Sequence, residues 1–208
     1  MHGGGGVELP RRYGMSESVL LVFAKRMARG HVKTRLEQAL GKDGALAAYR
    51  ELVESVSGWR DHGEWEAVWC LTGPGHWDWE GTQWEQAEGD LGERMEAAVD
   101  AAFSAGACRV VVVGTDVPDL NAATVERMFE RLAEGADVVT VPVRDGGYGA
   151  VGLRERPRGW FKGRAWSHAL VHEEAVVRSA EWGMRFCALP CLYDVDEPAD
   201  WAEWTARR

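Results

Sequence analysis

Two stretches of the chain contain no polar position at all. Val19 to Ala24 reads Val-Leu-Leu-Val-Phe-Ala, and Val110 to Val113 is four consecutive valines. Neither alternates, so each predicts a strand buried on both faces, as central strands of a parallel sheet are when helices cover them above and below. Helical spacing follows in between and after. Leu46, Tyr49, Val53 and Val56 fall on one face behind Asp43, which is expected to cap that helix. Leu91, Met95, Val99, Ala102 and Phe103 form a second apolar face, preceded by Asp90 with Glu93 three residues on, a capping-box arrangement. Asn121 is placed to cap a third helix packed through Val125, Met128 and Leu132.

Shorter strands are expected over Ala67 to Leu71, Asp137 to Val143, Ala150 to Leu153 and Met184 to Leu189. Asp145-Gly-Gly-Tyr-Gly149 makes a tight turn between two of them. A hairpin explains those glycines, and so does the approach of a substrate to the backbone. Ser167 is expected to cap a helix carrying His168 and His172, and a terminal helix with Trp201 and Trp204 follows Pro198. Strands alternating with helices define an α/β chain. The segment Gly73 to Gly89 reads as an excursion over the sheet edge, and Met1 to Ser18, with its run of glycines, as a mobile extension outside a single domain over 19–208. Met15 is a second candidate start.

Composition narrows the function. The chain has 208 residues, 46% apolar and 27% charged, which is the ordinary globular range. A formal net charge of -9 argues against a general nucleic-acid surface, so any phosphate site must be local. Four scattered cysteines with no disulfide-like pattern fit a reducing cytoplasm, the localisation expected. No apolar run is long enough to span a bilayer. Six of the eleven tryptophans fall between Trp59 and Trp84, interleaved with acids; packing is the expected role, with a homodimer interface left open.

Three features carry chemistry. The valine strand ends in Gly114-Thr-Asp-Val-Pro118, which puts Asp116 at the carboxyl end of a central strand, where open α/β sheets bind their ligands. Asp116 either holds a cation there or caps the turn. After the first strand come Lys25, Arg26, Arg29, His31, Lys33 and Arg35 with no acid before Glu37, a loop suited to the phosphates of a nucleotide although no Walker pattern is present. Asp194 and Asp196 lie two apart in an extended stretch, so their carboxylates point the same way. If that stretch lies beside the valine strand, Asp116, Asp194 and Asp196 make an oxygen-rich site suited to Mg2+ or Mn2+. The alternative for the pair is a solvated turn.

Taken in order, Phe23-Ala-Lys-Arg26, Gly30-His-Val-Lys-Thr-Arg-Leu36, Gly89-Asp-Leu-Gly-Glu-Arg-Met95, Gly114-Thr-Asp-Val-Pro-Asp-Leu120, Asp145-Gly-Gly-Tyr148 and Asp194-Val-Asp-Glu-Pro198 resemble the bacterial glycosyltransferase-like family described as radical-SAM/selenodomain-associated transferase 1. That family is similar to A-type-fold glycosyltransferases and to the 2-phospho-lactate or phosphoenolpyruvate guanylyltransferases. The resemblance implies a single three-layer domain with a mixed, mainly parallel sheet, the nucleotide-diphospho-sugar transferase fold. It implies divalent metal on Asp116, Asp194 and Asp196, and nucleotide or phosphate contacts from Ala24, Lys25, Arg26, Lys33, Arg35, Asp90, Thr115, Gly146 and Gly147. Lys33, Arg35 and Asp145 are the catalytic candidates, with His168 beside them. The chain departs from the family at Met27-Ala-Arg-Gly30, where a proline turn is usual, and at Gly149, where an aromatic is usual. The first is expected to reshape the phosphate loop and the second to enlarge the acceptor pocket.

The expected activity is metal-dependent transfer from a nucleotide or nucleotide-sugar donor to a small-molecule acceptor. Glycosyl transfer is the leading reading and nucleotidyl transfer with release of pyrophosphate the alternative. A non-catalytic nucleotide-binding module is a further one.

Overall fold

The computed structural model describes residues 15–208. The extension expected over 1–18 therefore lies outside the described residues except for its last four positions, and the first strand already begins at Ser18. The strands are β1 (Ser18–Lys25), β2 (Glu66–Thr72), β3 (Thr82–Glu85), β4 (Arg109–Val113), β5 (Val138–Pro142), β6 (Tyr148–Leu153) and β7 (Phe186–Ala188). The helices are α1 (Glu37–Ser57), α2 (Leu91–Ser104), α3 (Ala122–Ala133), α4 (Val171–Glu181) and α5 (Pro198–Ala206). The strands form one seven-stranded sheet in the order β3-β2-β1-β4-β6-β5-β7. Every pairing is parallel except those of β6, which runs antiparallel to both β4 and β5.

The unbroken apolar strands are central, and both their faces are covered. Leu20, Val22, Val111 and Val113 belong to a core layer shared with Tyr49 and Val53 of α1 and Val125 and Met128 of α3. Val19, Leu21, Val110 and Val112 face the opposite layer, with Met95 and Val99 of α2 and Ala175 of α4. Helices on both sides of a mixed sheet make three layers, as expected for the nucleotide-diphospho-sugar transferase fold. Strand order reverses between β1 and β4, and this opens a crevice at their carboxyl ends.

The tryptophans expected to pack do so. Trp69, Trp77 and Trp79 form a chain with ring centroids 4.9 and 4.7 Å apart, and the Arg60 guanidinium lies 4.7 Å over Trp69. The segment Gly73 to Gly89 adds a strand, β3, to the edge of the sheet and also folds back on the first loop, where Met27 and His76 exchange backbone hydrogen bonds of 2.9 and 3.3 Å. That exchange fixes the course of the loop where a proline turn is usual.

Two expected caps are absent. α1 begins before Asp43 and breaks its helical geometry at Gly41 (φ 68°, ψ 173°), while the Asp43 carboxylate takes the Arg29 guanidinium at 2.6 and 3.1 Å. Ser167 stands in left-handed backbone (φ 62°), and α4 starts only at Val171 with no side-chain cap. Asp90 and Asn121 cap as expected, Asp90 in a full capping box with Glu93.

Candidate functional site

The crevice is a cleft of about 500 Å³. Its walls come from the ends of β1 (Ala24, Lys25) and β4 (Gly114, Thr115, Asp116), the loop after β1 (Lys33, Thr34, Arg35), and the closing segment (Asp194, Asp196). Because β6 runs against β4, its first residues lie at the same end of the sheet, and Asp145, Gly147 and Tyr148 join the cleft. Trp166, Ser167 and His168 complete that side.

Asp116 and the closing segment meet through the backbone, where Val195 N–H donates to the Asp116 carbonyl at 2.8 Å. Asp194 and Asp196, either side of Val195, turn toward the turn between β5 and β6. There Asp145, Asp194 and Asp196 each offer a carboxylate oxygen, and the three oxygens lie within 4.8 Å of one another. This acidic group holds two of the three aspartates expected as metal ligands, together with Asp145. Asp116 has another partner. The Lys33 ammonium lies 2.8 Å from Asp116 Oδ1 and 2.9 Å from Asp196 Oδ1, and donates to the Val195 carbonyl at 2.5 Å.

Crowding shows in the acids themselves. Burial, together with the charges of Asp145 and Asp196, pushes the Asp194 carboxyl up to about 6. Burial also works to raise Asp196, but the charge and hydrogen bond of Lys33 and the charge of Arg35 carry it below the usual carboxylate range. A carboxylate that resists ionisation beside two others is a donor set that a divalent ion would relieve, and oxygen-only ligation suits a hard cation. The residues present therefore fit a divalent metal.

The basic loop divides. Lys25, Lys33 and Arg35 line the cleft. Arg26 instead pairs with Glu85 of the edge strand, and Arg29 is taken by Asp43. Arg35 reaches Asp196 at 3.5 Å and Glu197 at 3.4 Å. Ala24, Thr115 and Gly147 lie on the cleft wall, whereas Asp90 is spent on its helix cap and Gly146 faces the other way. Gly146 has φ 88°, and a Cβ there would run into the Ala169 carbonyl. That glycine serves the packing of the segment before α4, whose His172 N–H donates to the Gly146 carbonyl at 2.9 Å. Gly147 N–H donates to Asp145 Oδ1 at 2.7 Å, which orients the carboxylate. Gly149 lines the cleft, and a Cβ there would meet Val117.

Several cleft residues escaped the sequence reading. The Tyr49 hydroxyl accepts from Lys25 N–H at 2.7 Å and donates to the Lys25 carbonyl at 2.9 Å, pinning the end of β1; its helical spacing had explained the ring and hidden the hydroxyl. Gln86 donates to the Cys70 carbonyl at 2.7 Å and accepts from Arg94 at 3.0 Å, which holds Arg94 at the cleft. Gln86 lies in a segment without periodicity and gave no signal. Tyr148 and Trp166 meet edge to face, centroids 6.3 Å apart.

The profile of a bacterial protein family, described as "Uncharacterized protein conserved in bacteria (DUF2064)", matches residues 57–168, just over half of the chain. Among solved structures, a Desulfovibrio desulfuricans protein carrying the provisional description nucleotide-diphospho-sugar transferase is 31% identical, over 88% of this chain and 84% of that one, with a TM-score of 0.80. The 2-C-methyl-D-erythritol 4-phosphate cytidylyltransferase of Thermus thermophilus shares the fold at 18% identity, over 93% of this chain and all of that one, TM-score 0.55. So does the Mycobacterium tuberculosis protein Rv0371C, solved in complex with manganese, at 18% identity over 91% of this chain and 97% of that one, TM-score 0.52. A search of curated proteins finds no match to the sequence. Among the described residues no helix is long and apolar enough to cross a membrane.

Proposed function

The chain belongs to the bacterial family DUF2064, and we propose that this member is a metal-dependent nucleotidyltransferase, joining a nucleoside triphosphate to a small phosphorylated or carboxylate acceptor with release of pyrophosphate. It is a transferase in which one domain over 19–208 supplies the whole site. The observation that carries the reading is the charge balance of the cleft. Lys25, Lys33, Arg35 and Arg94 stand against Asp116, Asp145, Asp194 and Asp196, so one divalent ion would leave the walls at a net +2, suited to a polyphosphate.

In this reading Asp145, Asp194 and Asp196 would hold the metal, Mg2+ or Mn2+. Bound there, it would withdraw charge from phosphate oxygens and fix their orientation. Lys25 and Arg35 face the same space and offset the charge that accumulates on the departing pyrophosphate. An acceptor oxygen attacks the α-phosphorus, the bond from that phosphorus to the bridging oxygen breaks, and pyrophosphate leaves with the bonding pair. Tyr49 keeps the end of β1 in place so that Lys25 is held at the cleft.

Glycosyl transfer is the second reading, favoured by the description of the D. desulfuricans relative. There an acceptor oxygen attacks the sugar carbon and a nucleoside diphosphate leaves. The narrower placement among radical-SAM/selenodomain-associated transferases rests on the order of the sequence motifs.

Product analysis separates the two readings. With Mg2+ or Mn2+, a panel of triphosphates and phosphorylated acceptors is expected to yield pyrophosphate. Nucleoside diphosphate formed from a nucleotide sugar, with no pyrophosphate from any triphosphate, would replace nucleotidyl by glycosyl transfer.

A further inference from the structure

We infer that Tyr148, Arg164 and His168 form a receptor for a small oxyanion, which, on the nucleotidyl-transfer reading above, is the phosphate or carboxylate of the acceptor. Tyr148 begins β6, beyond β4 from β1 and the basic loop that follows it, and Tyr148, Trp166 and His168 all line the cleft. Among the described residues, six of the twelve buried side-chain polar atoms without a hydrogen-bond partner belong to Tyr148 and 160–168. Such atoms are rare in folded proteins, and half of them gathered in one wall point to a ligand rather than to packing. They are the Tyr148 hydroxyl, Trp160 Nε1, Arg164 Nε and Nη1, Trp166 Nε1 and His168 Nε2. The His168 ring accepts at Nδ1 from Leu170 N–H at 3.3 Å, which leaves the proton of the neutral ring on Nε2. All six atoms can therefore donate, and they match a group that only accepts, as a phosphate or carboxylate does.

Charge points the same way. The Arg164 side chain is 2% exposed, and its hydrogen bond runs from Nη2 to the Val171 carbonyl at 2.7 Å. Glu174 stands 3.8 Å from that guanidinium and 3.7 Å from His168 Nε2, beyond hydrogen-bond reach of either. Arg178 donates to the Trp160 and Lys162 carbonyls at 2.9 and 2.8 Å rather than to a carboxylate. Both guanidiniums lie close enough to the Tyr148 hydroxyl to oppose the burial that raises it, and the charge of Arg178 joins burial in lowering Arg164. Two guanidiniums beside one hydroxyl, neither hydrogen-bonded to a carboxylate, are the surroundings that an oxyanion completes.

The wall is built to yield. Residues 163–167 make no backbone–backbone hydrogen bond, and both Gly163 (φ 67°) and Ser167 (φ 62°) are left-handed, a geometry that a serine keeps only where its surroundings impose it. The preceding stretch is fixed, since Glu96 takes the Gly159 and Phe161 amides and Arg178 the Trp160 and Lys162 carbonyls. Movement is thus confined to the part that carries Arg164 and Trp166. Trp166 packs where Gly92 has no Cβ, and the Arg164 guanidinium stacks 5.0 Å over its ring. Displacing Trp166 would uncover that guanidinium, and an oxyanion entering beside Tyr148 would then take the donors that Glu174 does not reach.

The test is hydrogen exchange at the amides of 163–168 in the full chain without nucleotide, titrated with inorganic phosphate and separately with malonate. An anion that orders this segment is expected to slow its exchange in the native chain, and equally in Lys25→Ala/Arg35→Ala, because the basic loop is not part of the receptor. Arg164→Gln is expected to weaken anion binding by about tenfold or more, as loss of a hydrogen bond from a charged group does. Tyr148→Phe removes a single oxygen, is expected to weaken binding by about threefold or more, and decides the question if Arg164→Gln does not fold. Slowing by phosphate alone makes the acceptor a phosphate ester and slowing by malonate alone makes it a carboxylate; either supports the receptor. No slowing at 163–168 with either anion in the native chain, or native affinity in Tyr148→Phe and in a folded Arg164→Gln, would overturn it. The nucleotidyl reading fails separately, by slowed exchange at 163–168 in a protein that releases no pyrophosphate from any triphosphate.

Discussion

Asp194 is a ligand candidate that costs the metal-free protein stability, and replacing it with asparagine makes that cost measurable. Its carboxyl is pushed up to about 6 in the fold by burial and by Asp145 and Asp196, against an ordinary value near 3.8. The folded value is the higher one, so the native state binds more protons than the unfolded chain between roughly pH 4 and pH 6, and stability falls as pH rises through that window. Above pH 6 the penalty is fully present; below pH 4 it has gone. A shift of this size corresponds to about 3 kcal/mol, which solvent screening at a partly exposed group reduces to about 2 kcal/mol. Asp194→Asn keeps a hydrogen-bonding side chain and removes the charge. In EDTA at pH 8 it is expected to raise stability by about 2 kcal/mol, or roughly 4–8 °C in melting temperature for a chain of this length. The gain should shrink to nothing by about pH 4. Divalent metal should reverse the order, because a ligand that binds only the native site stabilises it by mass action and the variant lacks one donor. Urea and thermal unfolding over pH 4–8, with and without Mn2+, read all three effects. A variant less stable than native in EDTA at pH 8, or a difference that does not vary with pH, would refute the reasoning.

Glu96→Ala removes a buried carboxylate that accepts from Gly159 N–H and, at 3.3 Å, from Phe161 N–H, so urea unfolding should show a loss of about 2–4 kcal/mol. Gly146→Ala meets both a positive φ and the Ala169 carbonyl, and should cost about 2 kcal/mol or more while speeding hydrogen exchange at the His172 amide. Tyr49→Phe deletes both hydrogen bonds to the Lys25 backbone and should lower the urea midpoint, with unchanged slope, by about 1–3 kcal/mol of stability.

The central sheet was legible because Val19 to Ala24 and Val110 to Val113 leave no polar face, and only strands covered on both sides tolerate that pattern. The place of Asp116 followed from the end of the second run. The turn at Asp145 announced a hairpin, but not that β6 would slip between β4 and β5, since strand order is a tertiary choice that local turn chemistry does not carry. Yet that insertion is what brings Asp145 to Asp194 and Asp196. The pairing of Lys33 with Asp116 was hidden for a similar reason: a basic loop shows charge, while its partners depend on how the closing segment crosses β4. Cap propensities at Asp43 and Ser167 lost to nearer competitors, the Arg29 guanidinium in one case and the packing of 168–172 on Gly146 in the other. Asp90, with Glu93 in reach and no competing cation, capped as its spacing required.

The most direct test of the metal and phosphate assignment is an anomalous difference map from crystals grown with Mn2+ and a non-hydrolysable nucleoside triphosphate. A manganese peak bounded by Asp145, Asp194 and Asp196 is expected, with the phosphates lying between it and Lys25 and Arg35. A peak bounded by Asp116 with Lys33 displaced, or a triphosphate bound outside the cleft with no manganese at these aspartates, would contradict it.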